Sequence, residues 1–244
     1  MTDYDNVAGH FASDVPNHKI TSQREDGPLR YLRFAAPKTS MTVIEVVTWP
    51  HNLVVAGSHG SFHFAHYAAD REDMLDAFRG RVNPDHWARM LVNGRDSVAE
   101  YDRSLLEARI REYTREAIRE GWAPRGVGKA VTEDVLQSGY LDDEGNATRV
   151  VSEFEYGVKE RWECSCGTTE DDGTRDRGVM WAIRHERENG KTHNARSRRT
   201  EGFDFGDVWC DWSIRSLDYH YVWQCHAIAW AVTQHDAARK ATVS

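Results

Sequence analysis

Two hydrophobic periods divide the chain. From residue 29 to 64 short apolar runs, alternating in part with polar residues, are separated by turn signals. Residues 29–34 (Leu-Arg-Tyr-Leu-Arg-Phe) alternate with basic side chains, and 41–49 (Met-Thr-Val-Ile-Glu-Val-Val-Thr-Trp) is rich in β-branched residues. Pro50-His51-Asn52 reads as a turn, and residues 53–57 and 61–64 continue the run on either side of Ser58-His59-Gly60. This pattern predicts an antiparallel β meander.

A helical period then takes over. Asp70 is placed to cap a short helix reaching Phe78, with Met74, Leu75 and Phe78 on one face and Gly80 beyond it. Asn83-Pro84 opens a second short helix, because proline is tolerated where the first-turn N–H is unpaired anyway. The longest amphipathic stretch is 97–120. Tyr101, Leu105, Ile110, Tyr113, Ala117 and Ile118 share a face there, charged residues fill the other, and Gly121 stops it. Residues 217–234 are apolar on most sides, the signature of a buried helix. The period does not decide whether 122–156 packs as helices or serves as a connector.

Residues 157–202 differ from both flanks, being rich in Gly, Thr, Asp and Arg. They predict a small hairpin followed by a helix over 176–188. The fold class is therefore α+β: an N-terminal meander packed with helices, a buried C-terminal helix and a hairpin insert. The expected domains are 1–156 together with 203–244, interrupted by the insert 157–202.

Composition limits what such a fold can do. With 40% hydrophobic and 29% charged residues in 244, the chain has the balance of a globular protein. No apolar run approaches the ~20 residues that span a bilayer, and the acidic start Met1-Thr2-Asp3-Tyr4-Asp5 is unlike a secretory signal, so no membrane partner and a cytoplasmic location are expected. A formal charge of −8 argues against general binding to nucleic acid, whose affinity comes from neutralising phosphates. A local patch is not excluded at Arg196, Arg198 and Arg199, although these residues read as a solvated loop before they read as a nucleic-acid contact.

The clearest candidate chemistry is a metal set. Trp162-Glu163-Cys164-Ser165-Cys166-Gly167 is followed by His185 and His193, and two thiolates with two imidazoles make a tetrahedral zinc site. One residue separates the cysteines and seven the histidines, which departs from the commonest spacings. Four protein ligands close such a site, so its zinc is structural, supplying stability that a small insert lacks. His59 and His63 fall on one face if their strand is regular, which gives a second, weaker metal candidate. Cys210 and Cys225, near Asp211 and His226, read as buried structural cysteines before they read as nucleophiles. Gly121–Lys129 is glycine-rich but does not follow a buried strand, and it reads as a turn between helices. Asp142, Asp143 and Glu144 read as a solvated turn.

Several stretches resemble a widespread group of proteins from tailed phages and prophages. They are Asp26-Gly27 with residues 29–34, Thr48-Trp49-Pro50, residues 57–64, Met74 to Arg79, Val82 to Trp87, and Tyr219 to Trp230 ending near Gln234-His235-Asp236. The group often carries Gly-Asp-Met-Gly where this chain has Gly57-Ser58-His59-Gly60, so no acidic role carries over to Ser58. The group is similar to the phage Gabija anti-defence proteins, which assemble around a host nuclease complex and stop it cutting DNA. The resemblance implies an inhibitor working in the host cytoplasm by occlusion, with a host defence protein complex as partner and no catalytic residues. A homo-oligomer is compatible with it. The alternative is a metal-dependent enzyme acting on nucleic acid or a nucleotide.

Overall fold

The computed structural model describes residues 4–37, 42–67, 72–170, 175–190 and 195–243. In chain order its elements are α1 (Tyr4–Asp14), β1 (Lys19–Asp26), β2 (Leu29–Ala35), β3 (Ile44–Trp49), β4 (Asn52–Gly57), β5 (Gly60–Ala65), α2 (Pro84–Ala88), β6 (Ala99–Tyr101), α3 (Arg103–Glu120), α4 (Val127–Ala130), α5 (Glu144–Glu153), β7 (Glu155–Cys164), β8 (Thr169–Glu170), α6 (Arg175–Asn189), β9 (Ala195–Asp204), β10 (Arg215–Leu217) and α7 (Tyr219–Val243). Short 3-10 turns and one π-helical turn, Val131–Leu136, fill connections. The α+β architecture with an N-terminal meander is as the hydrophobic pattern predicts. Two units emerge, Met1–Glu100 with Ser216–Ser244, and Tyr101–Arg215.

In the first unit β1 to β5 form one antiparallel sheet in sequence order. Alternation sorts its residues: Leu32, Phe34, Ile44, Val46, Leu53, Val55 and Phe64 are all fully buried on one face. That face lies under α7, which is buried nearly all round between Tyr221 and Cys225. Trp230 meets Phe34 edge-on at 5.1 Å, and on its other side α7 packs Trp223 against Phe11 of α1, also at 5.1 Å. The polar edges of these large rings are satisfied inside the core. Trp223 Nε1 donates to Asp14 at 2.9 Å and the Tyr221 hydroxyl to the Pro84 carbonyl at 2.9 Å.

Local chemistry sets the helix ends. Asn83 caps α2 by accepting from the His86 amide, with Pro84 in the first turn as expected. The short helix before it runs Met74–Phe78 and is capped by Asp73; Asp70 lies outside the described residues. α3 begins at Arg103 instead of near 97, because the Asp102 carboxylate accepts from the Ser104 and Leu105 amides and so fixes the first turn. Its buried face is Leu106, Ile110, Thr114 and Ala117, while Leu105 and Ile118 stay exposed. Gly121 ends it in the left-handed conformation. Asp143 is more than a solvated turn: it caps α5 through the Asn146 amide.

Residues 122–156 pack as helices. Val127, Val131, Val135, Leu141, Ala147, Val151 and Phe154 join Leu106, Ile110, Phe203 and Phe205 in a second core. The expected boundaries at 157 and 202 therefore do not coincide with the observed division. Residues 101–156 and 203–215 bury their apolar side chains with each other, in a core separate from that of the meander.

Candidate metal centre

Three antiparallel strands, in the order β8-β7-β9, carry the site. Along the end of β7 burial alternates: Arg161 and Glu163 are exposed, Trp162 half-buried and Cys164 buried. The inward face is covered by α6, where Gly178 makes room for an indole. A Cβ there would stand 1.7 Å from Trp162 Nε1.

The β7–β8 turn presents the sulfur atoms. The Cys164 amide donates to the Thr168 carbonyl and the Gly167 amide to the Cys164 carbonyl, both at 2.9 Å, closing a tight loop around Cys166. From α6, His185 brings Nε2 to 3.3 Å from Cys166 Sγ. Its ring is held by stacking on Trp181 one turn earlier, at 5.0 Å and 13°. Asn189, one turn later, donates to the His185 carbonyl at 3.0 Å and lies 3.3 Å from Nδ1.

Cys164, Cys166 and His185 thus place one donor atom each within 4.8 Å of one another, a group able to hold a metal ion. The donor set fits. Bonds of about 2.3 Å to sulfur and about 2.0 Å to nitrogen put tetrahedral ligands roughly 3.5 Å apart, close to the sulfur–nitrogen separation already present. Cys166 is also pre-ionised. The Thr168 hydroxyl, 3.2 Å from Sγ, and the Thr168 amide pull its thiol down to about 5, with smaller help from Cys164 and His185. His193 lies outside the described residues.

The other candidates separate. His59 and His63 do not share a face: β5 begins only at Gly60, so regular alternation does not reach back to His59. His59 stacks on Trp223 at 4.1 Å with Nδ1 2.9 Å from Nδ1 of His220, and burial lowers its pKa. His63 instead bonds Asn52 at 2.9 Å and packs on Trp49. Cys225 is fully buried and desolvation pushes its thiol well above the ordinary range, as suits a structural cysteine; Cys210 is exposed. Gly126 opens α4, and the loop before it turns between helices as expected.

A charged network in the first unit went unforeseen. Arg30 pairs bidentately with Asp73, Arg79 with Asp236, and the wholly buried His235 donates to Glu25. Its visible signal was Gln234-His235-Asp236 near the end of an otherwise apolar helix. Comparison of the chain with protein-family models, curated proteins and solved structures finds no match. Among the described residues no helix is long and apolar enough to cross a membrane.

Proposed function

We propose that this protein works by binding, as a phage-encoded inhibitor that occludes a bacterial anti-phage nuclease complex of the Gabija kind. The observation carrying this reading is where the resemblance falls. Every stretch that supports it lies in the first unit, and those stretches supply Leu32, Phe34, Phe64, Phe78, Trp87, Tyr221 and Trp223 to a single core. The similarity is thus that of a packed scaffold, which leaves exposed positions to set the partner. An acidic surface complements a basic DNA-binding channel and speeds encounter with it. Occlusion at a standard interface requires about 1,600 Å² of buried area in total, with no bond made or broken.

Zinc, in this reading, is structural. Cys164, Cys166 and His185 hold it, and the ion clamps the β7–β8 turn to α6. Expression in a host with an active Gabija system restores phage plating if the inhibitor reading holds. Full defence in the presence of verified soluble protein contradicts it. The enzymatic alternative is separated by metal: a catalytic zinc makes activity vanish with the ion, whereas a clamp changes stability first.

A further inference from the structure

The turn between β4 and β5 carries a histidine up to the start of α7. His59 Nδ1 lies 2.9 Å from Nδ1 of His220, and the two ring centroids are 5.2 Å apart. Both residues belong to the first unit. Buried structure on either side fixes the approach. Gln224, one turn after His220 on α7 and fully buried, donates through Nε2 to the Gly60 carbonyl at 3.1 Å and so ties the turn to the helix. At the other end of the turn Gly57 passes close to Val43, where a Cβ would stand 2.1 Å from the carbonyl oxygen. His59 itself stacks on Trp223 at 4.1 Å, and Asp14 holds that indole through its Nε1. His220 is exposed, so its ring has room to rotate.

Two ring nitrogens this close have room for one proton between them, so at least one lone pair faces the other ring. A metal ion can take that proton's place. We propose that His59 and His220 bind a divalent transition-metal ion between their Nδ1 atoms. Neutral imidazole is the commonest metal ligand and suits nickel, copper and zinc. Bonds of about 2.0–2.1 Å at a tetrahedral angle put two nitrogens roughly 3.3 Å apart, a separation that a small rotation of His220 supplies. Both rings line an open cleft of about 380 Å³ that also has Glu100 and Asp218 in its wall. Asp218 accepts from the Tyr221 amide at 2.7 Å and offsets the positive start of α7. Glu100 has no side-chain partner among the described residues, so its charge is left to favour a cation. The open cleft gives the remaining coordination positions to water. With only two protein ligands the ion exchanges readily, and zinc carried through purification therefore reports on Cys164, Cys166 and His185 alone. This site goes beyond the inhibitor reading and does not depend on it.

The test is a calorimetric titration of the desalted full chain with Ni2+ at neutral pH. Wild type is expected to take up one equivalent more than either His59→Gln or His220→Gln. Reading the difference removes whatever the cysteine set binds. His220 is exposed, so His220→Gln is expected to melt like wild type without metal, and it carries the test even if His59→Gln loses its stacking on Trp223. The control is His86→Gln, an exposed histidine on α2, which should keep the full uptake. Uptake by His220→Gln equal to that of wild type overturns the proposal and leaves the pair as a hydrogen bond. Full uptake by His59→Gln overturns it as well, because His220 then binds without its partner. An equal loss in His86→Gln also overturns it, assigning the uptake to surface histidines at large.

Discussion

Cys166 owes its acidity mainly to a threonine two residues on. The Thr168 hydroxyl and amide stabilise the thiolate, whereas His185 contributes least among the groups that lower its pKa. In metal-free protein, alkylation rate against pH is expected to show a midpoint near 5. Thr168→Val moves that midpoint toward the ordinary thiol value of about 8.5; an unmoved midpoint shows that the hydroxyl is not the cause. Replacing Cys164 and Cys166 with serine should abolish stoichiometric zinc in elemental analysis and expose the 157–202 segment to protease, with the first unit still folded. Cys164 and Cys166 were legible as candidate ligands because two thiols and a following histidine put soft donors into one short segment. The thiol-lowering turn was not, since it depends on Gly167 and Thr168 closing a loop whose geometry no spacing encodes.

Strands and helices depend on the same kind of local contact. Gly178 is an interior helix position where alanine ordinarily helps, by about 1 kcal/mol. Here Gly178→Ala drives a methyl into the Trp162 indole, so α6 must lift from β7. The expected net effect is destabilisation by about 1–3 kcal/mol, the usual cost of overpacking, together with weaker zinc binding. Equal or higher thermal stability would show that the indole has room to move.

At the far end of α7 the charged network links stability to pH. Hydrogen bonding from Arg79 holds Asp236 below its ordinary value. Burial pushes Glu25 up, but the hydrogen bonds from His235 and Gln23 outweigh it and the carboxyl ends lower than usual. Groups depressed in this way stabilise the fold fully above the unfolded carboxylate pKa of about 4, and that contribution is lost as pH falls through the folded values. Melting temperature should therefore drop with acidification below about pH 4, and less steeply in Asp236→Asn than in wild type. The meander and α7 were legible because alternation and all-round apolarity survive tertiary context. The start of α3 was not, since the Asp102 cap overrode a helical pattern that runs on upstream of it. β1 also escaped, as its residues from Lys19 to Asp26 are nearly all exposed and carry little hydrophobic signal.

On the scale of the whole chain, composition marked 157–202 as different but misjudged how far its unit extends. Polar character shows where the hairpin and α6 begin. It does not show that Phe154, Phe203 and Phe205, on both sides of that segment, bury their rings together with α3. Long-range burial of this kind links positions about fifty residues apart and leaves no local period. The result is a molecule in which the meander and α7 build one core while the metal-competent hairpin lies in the unit that holds the other.

Direct mixing tests the central claim. Purified protein combined with a purified Gabija nuclease complex should co-elute with it on size exclusion and block its cleavage of DNA in proportion to occupancy. Separate elution at micromolar concentrations, with cleavage undiminished, contradicts the account.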